Sequence, residues 1–184
     1  MNKAVNFKSN LSNCPMNKEI RILGLDPGTA TTGWGIINEN KKQPRLVAFG
    51  CIETDKNKDN TARIKEIARD LREIISTHQP DEVAIEDLFF FKNLKTAIKV
   101  AQARGAMILT CADRNMPVFE YTPLQVKQAL TGYGRAEKKQ VQIMVKNILK
   151  LRNIPRPDDA ADALAVAICH QQSRVITRKT LTGK

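Results

Sequence analysis

The chain has 184 residues, with 30 Lys+Arg against 19 Asp+Glu and a formal charge of +11. One domain is expected at that length, large enough for a sizeable core, and 42% apolar residues without an uncharged apolar run of about 18 residues exclude a disordered or helix-spanning membrane chain. The charge is uneven: residues 1–91 hold 13 basic and 13 acidic side chains, residues 92–184 hold 17 and 6, which points to a polyanion bound by the C-terminal half.

Residues 1–18 are polar, contain Pro15–Met16 and have no apolar core segment, so they read as a flexible extension rather than a secretory signal, with Met16 a second candidate start. Arg21–Leu25 is a short apolar run ending in Asp26-Pro27-Gly28, a strand and a turn. Gly33–Ile37 and Leu46–Glu53 are the next strands, and their short connections predict an antiparallel meander. Over Asp59–Ser76 the period changes: Ile64, Ile67, Ala68, Leu71, Ile74 and Ile75 mark an amphipathic helix. Glu82–Glu86 is a fourth strand. Asn93–Arg114 is a long helix expected to bury Leu94, Ala97, Ile98, Ala101, Ile108 and Leu109, and Pro117–Tyr121 is a fifth strand. Thr122, Pro123 and Gln125 supply an N-cap, Pro at N1 and Gln at N3 for another helix. Beyond the loop Thr131–Arg135, Val141, Met144, Val145, Ile148 and Leu149 form one stripe of the next. Asp158–Gln171 is the last helix, and residues 173–184, with four basic side chains and no acid, are expected to be a disordered basic tail.

The order βββ-α-β-α-β-α-α-α predicts an α/β domain over 19–172, a five-stranded mixed sheet with helices on both faces, and no internal repeat. Cys14, Cys51, Cys111 and Cys169 are too scattered for a zinc site or a disulfide framework; the last three sit in apolar runs and read as reduced thiols of a cytoplasmic protein.

Chemistry in such sheets collects at the carboxyl ends of strands. The first strand ends in Asp26 and the fourth in Glu86-Asp87. An acid after an apolar strand is commonly a solubilising cap, but parallel neighbouring strands would project Asp26 and Glu86 from one edge. From Lys138 onward the only acids are Asp158, Asp159 and Asp162. Asp158 is read as an N-cap complementing the helix dipole. Asp159 and Asp162 share a helical face, and the alanines around Asp162 would let the helix approach the sheet closely. Carboxylates converging without histidine or thiolate favour Mg²⁺, with Mn²⁺ also suitable, and two such ions suit phosphodiester cleavage.

Gly24–Thr29 with Gly33-Trp-Gly35, Ala84-Ile-Glu86, Lys92-Asn93, Gln102–Gly105, Gln125–Gln128, Ala136–Lys138 and Asp159-Ala-Ala-Asp162-Ala-Leu-Ala together resemble the RuvC-type Holliday junction resolvases, from about Ile20 to Gln172. The resemblance implies an RNase H-like fold, a homodimer, and Mg²⁺-dependent paired nicking of four-way DNA junctions in recombination and repair. It implies two ions per subunit on Asp26, Glu86, Asp159 and Asp162, ends carrying 5′-phosphate and 3′-hydroxyl, and a branch-migration motor of the RuvA and RuvB type as a partner. It also implies that Phe89, the first of Phe89-Phe-Phe91, stacks on an unpaired base, and that Lys127 and Lys138 lie near the scissile phosphate.

Lys127, Lys138, Lys139 and Arg135 belong to a segment, 127–156, with eight basic residues and one acid, too lopsided for a merely solvated face; all four are expected to contact DNA. Gly132-Tyr-Gly134 could bring the backbone to phosphates or simply be a turn. Arg104-Gly105 is read as helix packing or dimer contact, and His78 and His170 as structural. Two other functions compete: a catalytically dead junction-binding module on the same fold, and an actin-like ATPase fragment suggested by Asp26-Pro-Gly-Thr29. The first would lack one of the four acids. The second would need a second domain.

Overall fold

The computed structural model describes residues 19–39, 43–88 and 94–182. The expected extension over residues 1–18 and Phe89–Phe91 lie outside them. The elements are β1 (Ile20–Asp26), β2 (Thr31–Glu39), β3 (Arg45–Glu53), α1 (Asn60–His78), β4 (Glu82–Glu86), α2 (Leu94–Ala112), β5 (Val118–Tyr121), α3 (Pro123–Thr131), α4 (Lys138–Ile148) and α5 (Asp158–Thr182). They form one sheet of order β3-β2-β1-β4-β5. The meander pairs antiparallel, whereas β4 runs parallel to both β1 and β5, as the sequence predicts.

Side-chain alternation along β1 divides the core into two layers. Ile20 and Ile22 pack with Ala84, Leu164, Ile168 and the buried stripes of α3 and α4. Leu23 and Leu25 point the other way, to Val83 and Ile85 and to Ile67, Leu71, Ala103 and Met107 of α1 and α2. Helices thus cover both faces.

Local chemistry explains the helix starts. The Asp59 carboxylate accepts from the Ala62 amide (2.8 Å). At α3, the Thr122 hydroxyl accepts from the Gln125 amide while the Gln125 side chain accepts from the Thr122 amide, the reciprocal box read from the sequence.

Three details depart from the sequence reading. Asp158 is the first residue of α5, not its cap: the Ala160 and Ala161 amides donate to the Pro157 carbonyl. α5 continues past Gln171 to Thr182, since no Gly or Pro interrupts the chain before Gly183, and Arg174 pairs with Glu39 and Glu82. Most consequentially, α2 is rotated from its expected setting. Val100, Ala103, Met107 and Cys111 are buried, whereas Ile98 and Leu109 are 52% and 62% exposed and Ala101 and Gly105 are exposed beside them. The helix is apolar on two sides, so hydrophobic period alone could not choose which faces the sheet.

Candidate active site

Asp26 closes β1 and Glu86 closes β4. Leu25 is in register with Ile85, so the two acids are the next pair along parallel neighbours. Both carry the parity of Ile22, Gly24 and Ala84, which places them on the layer that α5 covers. There α5 brings Asp159 and Asp162 on its first two turns.

Three glycines make this proximity possible. A Cβ on Gly24 would lie 2.0 Å from the Ala163 carbonyl oxygen, one on Gly33 1.9 Å from that of Asp159, and one on Gly35 2.6 Å from the Leu164 side chain. Gly24 faces Gly35 and Asp26 faces Gly33 across β1 and β2. The smooth patch therefore lies under α5, whose facing residues are mainly alanines. Isolated strand glycines signal close backbone approach; Gly33 and Gly35, two apart on one strand, were that signal in the sequence.

The four acids act electrostatically as a group. Burial first, then the charges of Glu86, Asp162 and Asp159, push the Asp26 carboxyl up to about 8. Burial and Asp162 push Glu86 up to about 7, opposed by a hydrogen bond with Asp26 and by Lys127 and Lys138. Burial raises Asp162 as well, against a hydrogen bond from Lys138. Among the described residues no three acidic, histidine or cysteine side chains are already gathered as a ligand cage. The donor set nevertheless fits a hard divalent cation: it is all carboxylate, and the charges of Glu86, Asp162 and Asp159 all make Asp26 harder to ionise unless positive charge lies between them. The adjacent Cys51 thiol, pushed up to about 11 chiefly by burial and then by Asp159, stays neutral and so supplies no soft thiolate.

Positive charge reaches the group from α3 and α4. Lys138 Nζ is 2.6 Å from an Asp162 oxygen and 3.9 Å from Asp158, while Asp158 also pairs with Arg156. The charge of Lys127 lowers Glu86, somewhat more than that of Lys138 does. Lys139 and Arg135 are exposed near the start of α4.

The family model described as crossover junction endodeoxyribonuclease RuvC matches residues 22–170. The chain belongs to the RuvC family. Among curated RuvC relatives, the crossover junction endodeoxyribonuclease of Caldicellulosiruptor saccharolyticus is 55% identical over 152 residues, covering 82% of this chain and 92% of that protein. That of Syntrophomonas wolfei is 52% identical over 154 residues, covering 84% and 90%. The solved Thermus thermophilus RuvC in complex with Holliday junction substrate superposes with a TM-score of 0.81 at 34% identity, over 86% of this chain and 96% of that one. The RNase H-like fold expected from the resemblance is therefore the fold observed. As a member of a nuclease family the chain is expected to use a divalent metal. No helix among the described residues is long and apolar enough to cross a membrane.

Two polar linkages of this RuvC-family chain specify roles that the sequence reading left general, with His170 structural as expected. Arg104, read as packing or dimer contact, donates from Nε to the Glu86 carbonyl at 3.1 Å. His170, 1% exposed, joins Tyr121 (2.7 Å) to Glu82 (2.8 Å). Glu82 opens β4 and Glu86 closes it, so this linkage fastens α5 at the strand end opposite the four acids and keeps His170 out of their group.

Proposed function

We propose that the protein is a structure-selective endonuclease that resolves four-way (Holliday) DNA junctions by paired symmetric nicks, in recombination and repair in the cytoplasm. The observation that carries this reading is the convergence of Asp26, Glu86, Asp159 and Asp162 from three elements onto one sheet edge, in a basic chain of the RuvC family. These four side chains would hold two Mg²⁺ ions. Bound there, the metal supplies an acidified water and electrostatic stabilisation of the phosphodiester's developing charge.

The protein's own groups do the rest. Asp26 and Glu86 are fixed by the strands, and Asp159 and Asp162 by the close packing of α5, so the set is pre-organised. Lys138 and Lys127, whose charges reach the acids, would stabilise charge on the oxygens of the scissile phosphate. Arg135 and Lys139, exposed beside them, bind flanking backbone phosphates. Phe89, three residues beyond Glu86 and outside the described residues, stacks on an unpaired base at the junction centre.

Two symmetric nicks need two copies. The outward apolar stripe of α2, with Ile98 and Leu109 exposed and no neighbour among the described residues within 4 Å of a Cβ added at Gly105, supports a homodimer packed through this helix. Its two-fold axis would relate the two acid sites, giving two nicks in strands of like polarity with 5′-phosphate and 3′-hydroxyl ends. A branch-migration motor of the RuvA and RuvB type would deliver the junction.

The test incubates the protein with a synthetic four-way junction and a matched linear duplex, in Mg²⁺ or EDTA. Symmetric, Mg²⁺-dependent nicking of the junction alone is expected, and binding without nicking, or equal cutting of the duplex, would overturn the assignment. Asp162→Asn should retain junction binding and abolish cleavage. Asp158→Asn and Asp159→Asn, made separately, distinguish the ion-paired first residue of α5 from the site member.

A further inference from the structure

We propose that Arg104 is a positioning residue for Glu86, holding that residue's peptide from the opposite layer of the sheet. The proposal rests on the assignment of Glu86 to the metal-binding set.

The β1–β4 ladder ends at Leu25 and Ile85, while on the other side the Asp87 amide still donates to the Tyr121 carbonyl at 2.8 Å. The Glu86 carbonyl instead accepts from Arg104 Nε at 3.1 Å. The same guanidinium pairs through Nη2 with Glu120 on β5 and lies 3.4 Å from Asp87. Asp87 in turn accepts from the Leu88 amide at 2.8 Å. One side chain therefore ties together the last residue of β4, the residue after it, and the neighbouring strand.

Burial and geometry argue that the carbonyl bond is the anchor. The Arg104 side chain is 13% exposed, whereas Asp87 and Glu120 are 45% and 55% exposed. Ion pairs to such exposed carboxylates contribute little alone, but they fix the plane of the guanidinium and thereby aim Nε at the carbonyl. Holding the Glu86 carbonyl through Nε and Glu120 through Nη2 at once, with Asp87 close by, requires a planar fork of donors, which arginine has and lysine lacks.

The layers explain why the clamp can be functional without touching the acids. The Glu86 side chain points to the α5 layer, whereas Arg104 comes from α2 and reaches the carbonyl, which lies in the plane of the sheet. It sets where the carboxylate begins and stays clear of the space a cation would occupy. Groups that orient a metal ligand typically change affinity or activity 10–100-fold when removed.

The test measures Mn²⁺ binding by calorimetry on the full-length chain, alongside junction binding in EDTA and thermal melting, for Arg104→Met and Arg104→Lys. We expect Arg104→Met to weaken Mn²⁺ binding about 10–100-fold, with junction binding unchanged, and Arg104→Lys to fall between it and wild type. Nicking by either variant should be partly restored by raising Mg²⁺. Unchanged Mn²⁺ affinity in Arg104→Met, or full recovery in Arg104→Lys, would overturn the proposal; a lowered melting temperature alone would mark Arg104 as merely structural. If Arg104→Met does not fold, Arg104→Lys carries the test. A wild-type protein that binds Mn²⁺ but does not nick junctions refutes the resolvase reading and leaves the Arg104 measurement standing; one that binds no Mn²⁺ refutes the site and Arg104 with it.

Discussion

Substituting Gly33 by alanine tests how the site is held together. An added Cβ would stand 1.9 Å from the Asp159 carbonyl oxygen, 2.4 Å from its carbon and 3.1 Å from the Ala160 nitrogen. All three are backbone atoms, so no rotamer relieves the contact. A carbon and a carbonyl oxygen are comfortable at roughly 3.4 Å, so the first turn of α5 must move away from β2 by about 1.5 Å, the difference between that contact and the 1.9 Å. Overpacking of this kind costs about 1–3 kcal/mol, which should lower the melting temperature without preventing folding. Activity should suffer more, because the displaced turn carries Asp159 and a misplacement of about 1 Å can reduce rate on the order of 10²-fold. Single-turnover cleavage of a four-way junction, with junction affinity measured separately in EDTA, separates the effects: cleavage should fall on the order of 10²-fold while binding stays within a few-fold. Cleavage within a few-fold of wild type would show that the sheet–helix contact does not set the position of Asp159.

Two further outcomes are expected. In EDTA, the raised Asp26 and Glu86 carboxyls make the folded protein hold protons that the unfolded chain has released. Their contribution is fully present below the ordinary carboxylate range and is lost as pH rises through about 7 and about 8; melting should weaken across that window, and Asp26→Asn should flatten the dependence. On α2, Ile98→Asp with Leu109→Lys should yield a folded monomer by sedimentation, because both side chains point outward; it should bind junctions weakly and lose paired nicking, and a stable dimer would exclude this face as the interface.

Much of the fold could be read from local signals. The meander follows from short connections between strands, and the α3 start from Thr122 and Gln125. The edge shared by Asp26 and Glu86 follows once β1 and β4 are parallel neighbours. The inward face of α2 was illegible for a physical reason: Val100, Ala103 and Met107 on one side and Ile98, Ala101 and Leu109 on the other are all apolar, and a helix that buries one such side and leaves the other exposed carries two competing stripes. The end of α5 was illegible because Arg174 is fixed by Glu39 and Glu82, far away in sequence. The clamp by Arg104 was hidden for a similar reason: its acceptor is a backbone carbonyl, which no residue pattern announces.

The glycines under α5 link packing to chemistry. Alternation along β1 and β2 puts Gly24, Gly33 and Gly35 on the face where most core strands place Ile or Val, and each omission removes apolar area that would otherwise stabilise the sheet. What is gained is proximity: α5 lies against the strand backbone, and the same closeness buries Asp26 and brings the charges of Asp159 and Asp162 to it. The electrostatic strain among the acids and the precision of their placement therefore have one cause. A helix held farther off by larger side chains would relieve the repulsion, hydrate Asp26 and disperse the donors. Because a divalent cation reverses the sign of that repulsion, the tight packing that costs the protein alone becomes favourable once positive charge enters. The Lys138–Asp162 pair offsets part of that cost from within the chain, and Lys127 and Lys138 both make Glu86 easier to ionise.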